Sequence, residues 1–253
     1  MPSRHNGGVI GKSNVPTLSV ASGVWNTNAV HKARLSNTFP VPSADIVFGA
    51  ISTTNTFGAS STAKTVSLAL GGEASRIVIA CTVNTGASGY SPTPTFNGTT
   101  MTLAHSHNYL GAYYAYIYYL LEASLPSAGT YTFSADPAGS PRGGLWCMYI
   151  YGAKQQAPEA TAQGSGTSDN FSTNITTASN GAWVIDALLS ADQHEPGWTP
   201  SAGQIERADF LDSTSTSQFG STKFVSSAGA TSLGWSGTSS RDYVHVLTSW
   251  AKL

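Results

Sequence analysis

Tyr113-Tyr114-Ala115-Tyr116-Ile117-Tyr118-Tyr119 is the stretch on which the fold turns. Side chains alternate between the two faces of an extended strand. Alternation puts Tyr114, Tyr116 and Tyr118 on one face and Tyr113, Ile117 and Tyr119 on the other. Both faces are apolar, so both require covering. Packing against another subunit would supply the second cover, and the run reads as strand and subunit contact rather than ligand contact.

Moving outward, the same period continues. Lys64–Leu70 alternates through Val66, Leu68 and Leu70. Arg76–Val83 places Ile77, Ile79, Cys81 and Val83 on one face. Thr95-Phe96 and Met101-Thr102-Leu103 flank Asn97-Gly98, a tight-hairpin signal. Leu145–Gly152 and Trp183–Leu189 are apolar runs suited to central strands, and Thr130–Ala135 alternates through Tyr131 and Phe133. Lys223–Ser226, Ser232–Ser236 and Tyr243–Trp250 complete a set of roughly ten strands with no long helix. Gly164–Ser172 reads as a polar loop, and Asp192–Ser221 as the longest irregular region. No fixed-period repeat is visible, which argues against a propeller or solenoid. The fold class predicted is all-β, a jelly-roll-like antiparallel β-sandwich with an extended N-terminal arm.

The division falls at 44/45, with an arm and linker over 1–44 and a sandwich over 45–253. Short apolar pieces in the arm, separated by Gly and Pro, cannot close a core of their own. Phe39-Pro40-Val41-Pro42 is a stiff extended linker. The arm carries Arg4, Lys12, Lys32 and Arg34 and no acid, a charge of +4, while the remainder carries −5. A basic arm on a mildly acidic body suits docking on an acidic surface. The body has no basic stripe, so nucleic acid is not an expected partner.

Only 10% of residues are charged, against about 25% in an average domain. Hydroxyls take their place, with 35 Ser and 29 Thr. The start of the chain lacks the apolar run of a signal peptide, and no stretch approaches the length of a membrane span. Cys81 and Cys147 lie in apolar strand patterns and read as buried thiols, with a bridge between adjacent strands left open.

Chemistry is sparse. The 13 acids form no obvious catalytic pair. Asp186, inside an apolar strand, is the acid to watch; its ordinary place is the solvent side or a hydrogen-bonded strand crossing. His105-Ser106-His107 would put two imidazoles on one face, half of a metal site without a third ligand. No metal, no cofactor and no enzymatic activity are expected. Tyr90, Tyr109 and Trp198 sit among Gly, Pro, Ser and Asn, and are the candidate glycan-binding residues. Flat rings on loops can stack on the C–H faces of sugars.

One further pattern resembles a known group. Gly7-Gly8-Val9-Ile10-Gly11, Pro16-Thr17, Ala21-Ser22-Gly23-Val24-Trp25 and Val30-His31-Lys32-Ala33-Arg34 look like a leader segment of tailed-bacteriophage structural proteins. Phe96–Leu103, Tyr118–Leu121 and Gly129–Phe133 are similar to jelly-roll modules of phage and bacterial surface proteins. The resemblance implies a virion subunit assembled in the host cytoplasm, a tail fibre or baseplate component. Gly8, Val9, Ile10, Trp25, Lys32 and Arg34 would anchor it to other virion proteins. The body would trimerise and bind host-surface glycan, without entering a membrane. A capsid decoration protein is the alternative, and a polysaccharide depolymerase a more distant one.

Overall fold

A computed structural model describes residues 45–57, 62–86, 93–136, 142–191, 198–211 and 216–253. The N-terminal arm lies outside them. The described residues contain sixteen strands and one 3₁₀ turn, Glu122–Ser124. The first ten strands are β1 (Val47–Ile51), β2 (Asn55–Thr56), β3 (Lys64–Leu70), β4 (Ile77–Thr85), β5 (Thr95–Phe96), β6 (Thr99–Thr100), β7 (Thr102–Tyr109), β8 (Tyr113–Leu121), β9 (Gly129–Ala135) and β10 (Arg142–Tyr151). The remaining six are β11 (Ala160–Thr177), β12 (Ala182–Ser190), β13 (Thr199–Pro200), β14 (Gln204–Leu211), β15 (Ser217–Val225) and β16 (Gly229–Trp250). Every pairing is antiparallel.

Three sheets result. The first has the order β1-β10-β4-β8-β7, with β2 also on β10. The second, β3-β9-β5-β6, covers one of its faces. Val66, Leu68, Leu70, Phe96 and Phe133 pack there against Val78, Ala80, Leu145 and the stacked rings of Tyr114, Tyr116 and Tyr118. The third sheet, β11-β16-β12-β15-β14, covers the other face. Ile77, Ile79, Cys81, Val83 and Ile117 meet Ile185, Ala187, Leu189, Val244 and Val246. The two-faced aromatic strand β8 is therefore buried on both sides by its own chain. The second cover assigned to another subunit is corrected to the third sheet.

The third sheet makes a sandwich of its own. β11 and β16 pair from Ala160↔Ser249 to Thr177↔Gly229, with an irregularity between Ser168 and Asn170. Beyond it, Phe171, Ile175, Leu233 and Trp235 of the hairpin pack on Val184, Leu188, Phe219 and Leu247 of the sheet. The chain thus holds two stacked antiparallel sandwiches where the sequence suggests one. Two other expectations are corrected. Gly164–Ser172 is strand, and 192–221 contains β13, β14 and the start of β15. Their period is real but carried by hydroxyls: Phe171, Thr173, Ile175 and Thr177 alternate inward with few apolar letters to mark them.

The two sandwiches share one connectivity. β11 corresponds to β1, β2 and β3 in succession, β12 to β4, β13 to β5, β14 to β7, β15 to β8, and β16 to β9 followed by β10. The hydrogen-bonded orders β1-β10-β4-β8-β7 and β11-β16-β12-β15-β14 are then the same order. The registers agree too: Ile77 faces Ile150 and Leu121, while Trp183 faces Trp250 and Phe224. In the stack β4 lies on β12, β8 on β16, β7 on β11 and β10 on β15. On β1, the Phe48 ring takes the Arg207 guanidinium of β14 at 3.8 Å. This reversed lateral order is that of an approximate twofold axis along the strands. The fit is close: a Cβ on Gly220 would lie 2.9 Å from the Trp146 ring. Asn97-Gly98 forms the expected tight turn, with φ of 50° and 77°.

Candidate functional site

Among the described residues Asp186 is the one acid buried in a core. Its position on β12 turns it toward the β11–β16 hairpin, away from the sheet interface. Its Oδ2 accepts from Trp235 Nε1 at 2.9 Å and lies 3.0 Å from His245 Nε2; its Oδ1 accepts the Ser221 N–H. His245 Nδ1 is 2.9 Å from Thr173 Oγ1. The β12–β15 ladder pairs Ile185 with Thr222 and resumes at Leu188 with Phe219. Between them the carboxylate takes over a backbone donor. Hydroxyl, imidazole and carboxylate in a row form the arrangement that activates nucleophiles. Here Asp186 and His245 are fully buried and Thr173 is 5% exposed, so the hydroxyl is enclosed. The network ties the hairpin to the sheet, matching the hydrogen-bonded strand crossing considered for Asp186.

A cavity of about 220 Å³ opens at one end of the stack, lined by Thr85, Gly86, Ala112, Tyr113, Ala191 and Thr216. It lies on the approximate twofold axis. Thr85 ends β4 as Ala191 follows β12, and Tyr113 starts β8 as Thr216 precedes β15. Sandwich ends are where strand alternation stops and loops take over, so polar and aromatic groups can face solvent there. Tyr113 stacks on Tyr109 at 6.4 Å. Burial, then the negative charge of Asp242 and the neighbouring Tyr109, push the Tyr113 hydroxyl pKa up, so it remains a proton donor at neutral pH. Gln218, fully buried on β15, donates Nε2 to Thr216 Oγ1 at 2.7 Å and to its carbonyl at 2.8 Å. Gln218 Oε1 has no partner among the described residues. A buried acceptor left so costs about 1–3 kcal/mol.

The β7–β8 turn forms part of this end. Leu110 and Gly111 have φ of 56° and 65°, and Ala112 N–H donates to the Tyr109 carbonyl at 3.1 Å. Leu110 is 72% exposed. A leucine held left-handed and in water is strained for no packing return.

Of the sequence-predicted residues, Tyr109 lies beside the cavity. Trp198 is corrected from an exposed loop ring to a core residue. It is 4% exposed and packs on Phe171 at 5.5 Å and Phe219 at 6.5 Å, because the hairpin closes over it. Tyr90 and the anchor residues Gly8, Val9, Ile10, Trp25, Lys32 and Arg34 lie outside the described residues. His105 and His107 face the third sheet, where burial pushes both pKa values down and His107 Nε2 meets Ser165 Oγ at 3.0 Å. Among the described residues no three potential metal ligands lie together.

The cavity residues Thr85, Gly86, Ala112, Tyr113, Ala191 and Thr216 were missed by sequence reasoning. They come from strand ends over 100 positions apart in the chain, and only the internal duplication links them. Comparisons with protein families, with curated proteins and with solved structures found no match.

Proposed function

We propose that this chain is a structural and attachment subunit of a tailed-phage particle, a tail fibre or baseplate component rather than an enzyme. Residues 1–44, with Val9, Ile10, Trp25, Lys32 and Arg34, hold it to other particle proteins. The double sandwich presents its loop end to host-surface glycan. The observation that carries this reading is the stacked pair of sandwiches meeting at a shared cavity flanked by Tyr109 and Tyr113. Support comes also from the +4 arm on a −5 body, from the resemblance of the leader, and from a surface wetted by hydroxyls in place of ions. No described helix is long and apolar enough to cross a membrane.

The test is removal of the arm. Asp45–Leu253 is one compact unit with its own cores, so a chain lacking 1–44 is expected to fold. It should give the circular dichroism of the full chain and fail to join particles. Normal incorporation of the folded truncation overturns the anchoring role.

A further inference from the structure

We infer that the cavity between the two sandwich ends is a binding site for a single uncharged sugar residue, such as the terminal unit of a surface glycan. The inference rests on the attachment reading and names its site and ligand class.

Size comes first. About 220 Å³ falls below the roughly 300–1,000 Å³ of sites for drug-sized molecules. A single sugar ring fits a volume of this size. The lining matches such a ring. Tyr113, backed by the stacked Tyr109, provides an aromatic wall for an apolar sugar face. Thr85 and Thr216 line the cavity from the two sandwiches, and the Thr216 hydroxyl is held by Gln218 Nε2 at 2.7 Å. Behind Thr216, Gln218 Oε1 is a buried acceptor without a partner among the described residues. Accepting from a ligand hydroxyl, directly or through a water, would satisfy it.

Charge selects further. The six described lining residues include no acid, lysine, arginine or histidine. The field of Asp242 reaches Tyr113, and it opposes an anionic ligand. A uronic or sialic acid would lose its hydration without gaining a cation from the described lining residues. Leu110, strained and exposed, lies on the turn that joins Tyr109 to the lining residue Ala112. Strain of this kind gathers at ligand-contacting sites.

The test uses the purified full chain with a panel of neutral methyl glycosides, alongside glucuronic and sialic acids, read by saturation-transfer NMR and titration calorimetry. Ala191→Trp fills the cavity from its wall without removing a packed side chain. Tyr109→Ala removes the ring behind Tyr113. Thermal unfolding of each variant checks its fold. The expected result is a neutral glycoside bound in the millimolar range, weakened about tenfold or more by both variants at unchanged unfolding temperature. If Ala191→Trp proves unstable, competition between the bound glycoside and free ligand at the Tyr113 resonances replaces it, and unperturbed Tyr113 signals overturn the site. Binding that survives in folded Ala191→Trp also overturns it. Preference for the acidic sugars, or no binding by any neutral glycoside, overturns the ligand class. Particles lacking the protein separate the two ideas: lost adsorption together with an empty cavity leaves attachment standing, whereas normal adsorption removes the attachment reading itself.

Discussion

Ala80 and Asp186 occupy the same place in the two sandwiches. Each lies on the central strand of its sheet: Ala80 pairs with Cys147 and Tyr118, and Asp186 pairs with Leu247 while its Oδ1 accepts the Ser221 N–H. Around Ala80 the corresponding positions are Leu68, Phe133 and Leu145, all apolar. Around Asp186 they are Thr173, Trp235 and His245, all hydrogen-bonded into one network. The same geometry is held by packing in one copy and by polar contacts in the other. A buried polar cluster is tolerable only when its members satisfy each other.

Asp186→Ala is therefore expected to cost about 3 kcal/mol or more, since it leaves His245, the Trp235 N–H and the Ser221 N–H unpaired. Combining it with His245→Leu, which restores the chemistry of the first sandwich, should recover part of that loss. Urea unfolding of the two variants measures both. A single variant within about 1 kcal/mol of the parent would show the network to be dispensable.

Cys81 and Cys147 should be silent to thiol reagents in the native protein. Both are fully buried and free. They lie on adjacent strands but on opposite faces of the first sheet, so the bridge left open by the sequence does not form. Burial pushes the Cys147 thiol up to about 12, and raises Cys81 well above its ordinary value with Asp186 adding to the effect. Thiolate is the reactive form. Titration with an aromatic disulfide should find no reactive thiol before denaturant and two after it; rapid native labelling would contradict this burial.

Glu122 and Arg76 give the first sandwich an acid-sensitive clasp. Arg76 Nη2 donates to Glu122 Oε1 at 2.5 Å and to the Pro126 carbonyl at 3.1 Å. The Arg76 side-chain hydrogen bonds hold the Glu122 carboxyl below its ordinary pKa. A carboxylate depressed by folding stabilises above its unfolded pKa, near about 4.3, and loses that contribution as pH falls through the lower folded value. Glu122→Gln should cost about 1 kcal/mol at neutral pH, a modest figure because the carboxylate is a third exposed. The gap from the parent should begin to narrow below about pH 4 and close once pH falls below the folded value. Denaturant midpoints at both pH values decide it, and a gap independent of pH would contradict the assignment.

Leu110→Asn should stabilise the protein by about 0.5–1 kcal/mol, because asparagine accepts the left-handed backbone more readily. Binding of the neutral glycoside inferred above should weaken if the leucine contacts it. Thermal unfolding and titration calorimetry read the two effects separately. A variant no more stable than the parent would show that the turn is not strained.

The sequence by itself determined the class of the fold. Period-two patterns at Val66–Leu70, Ile77–Val83 and Tyr113–Tyr119 are local, and local spacing is enough to decide which faces are buried. It also located the Asn97-Gly98 turn. Only the tertiary structure decided what covers each face. Apolar side chains specify burial without specifying a partner, so the second cover of β8 became a third sheet of the same chain. Hydroxyl-rich strands such as β11 escaped because Thr173 and Thr177 bury without an apolar signature. Trp198 shows the reverse: its neighbours suggested a loop tip, and a distant hairpin made it core. The duplication was hidden because equivalent positions exchange Ala80 for Asp186 and Leu145 for His245. A backbone path can be preserved by packing or by hydrogen bonds, and those two means use different residues.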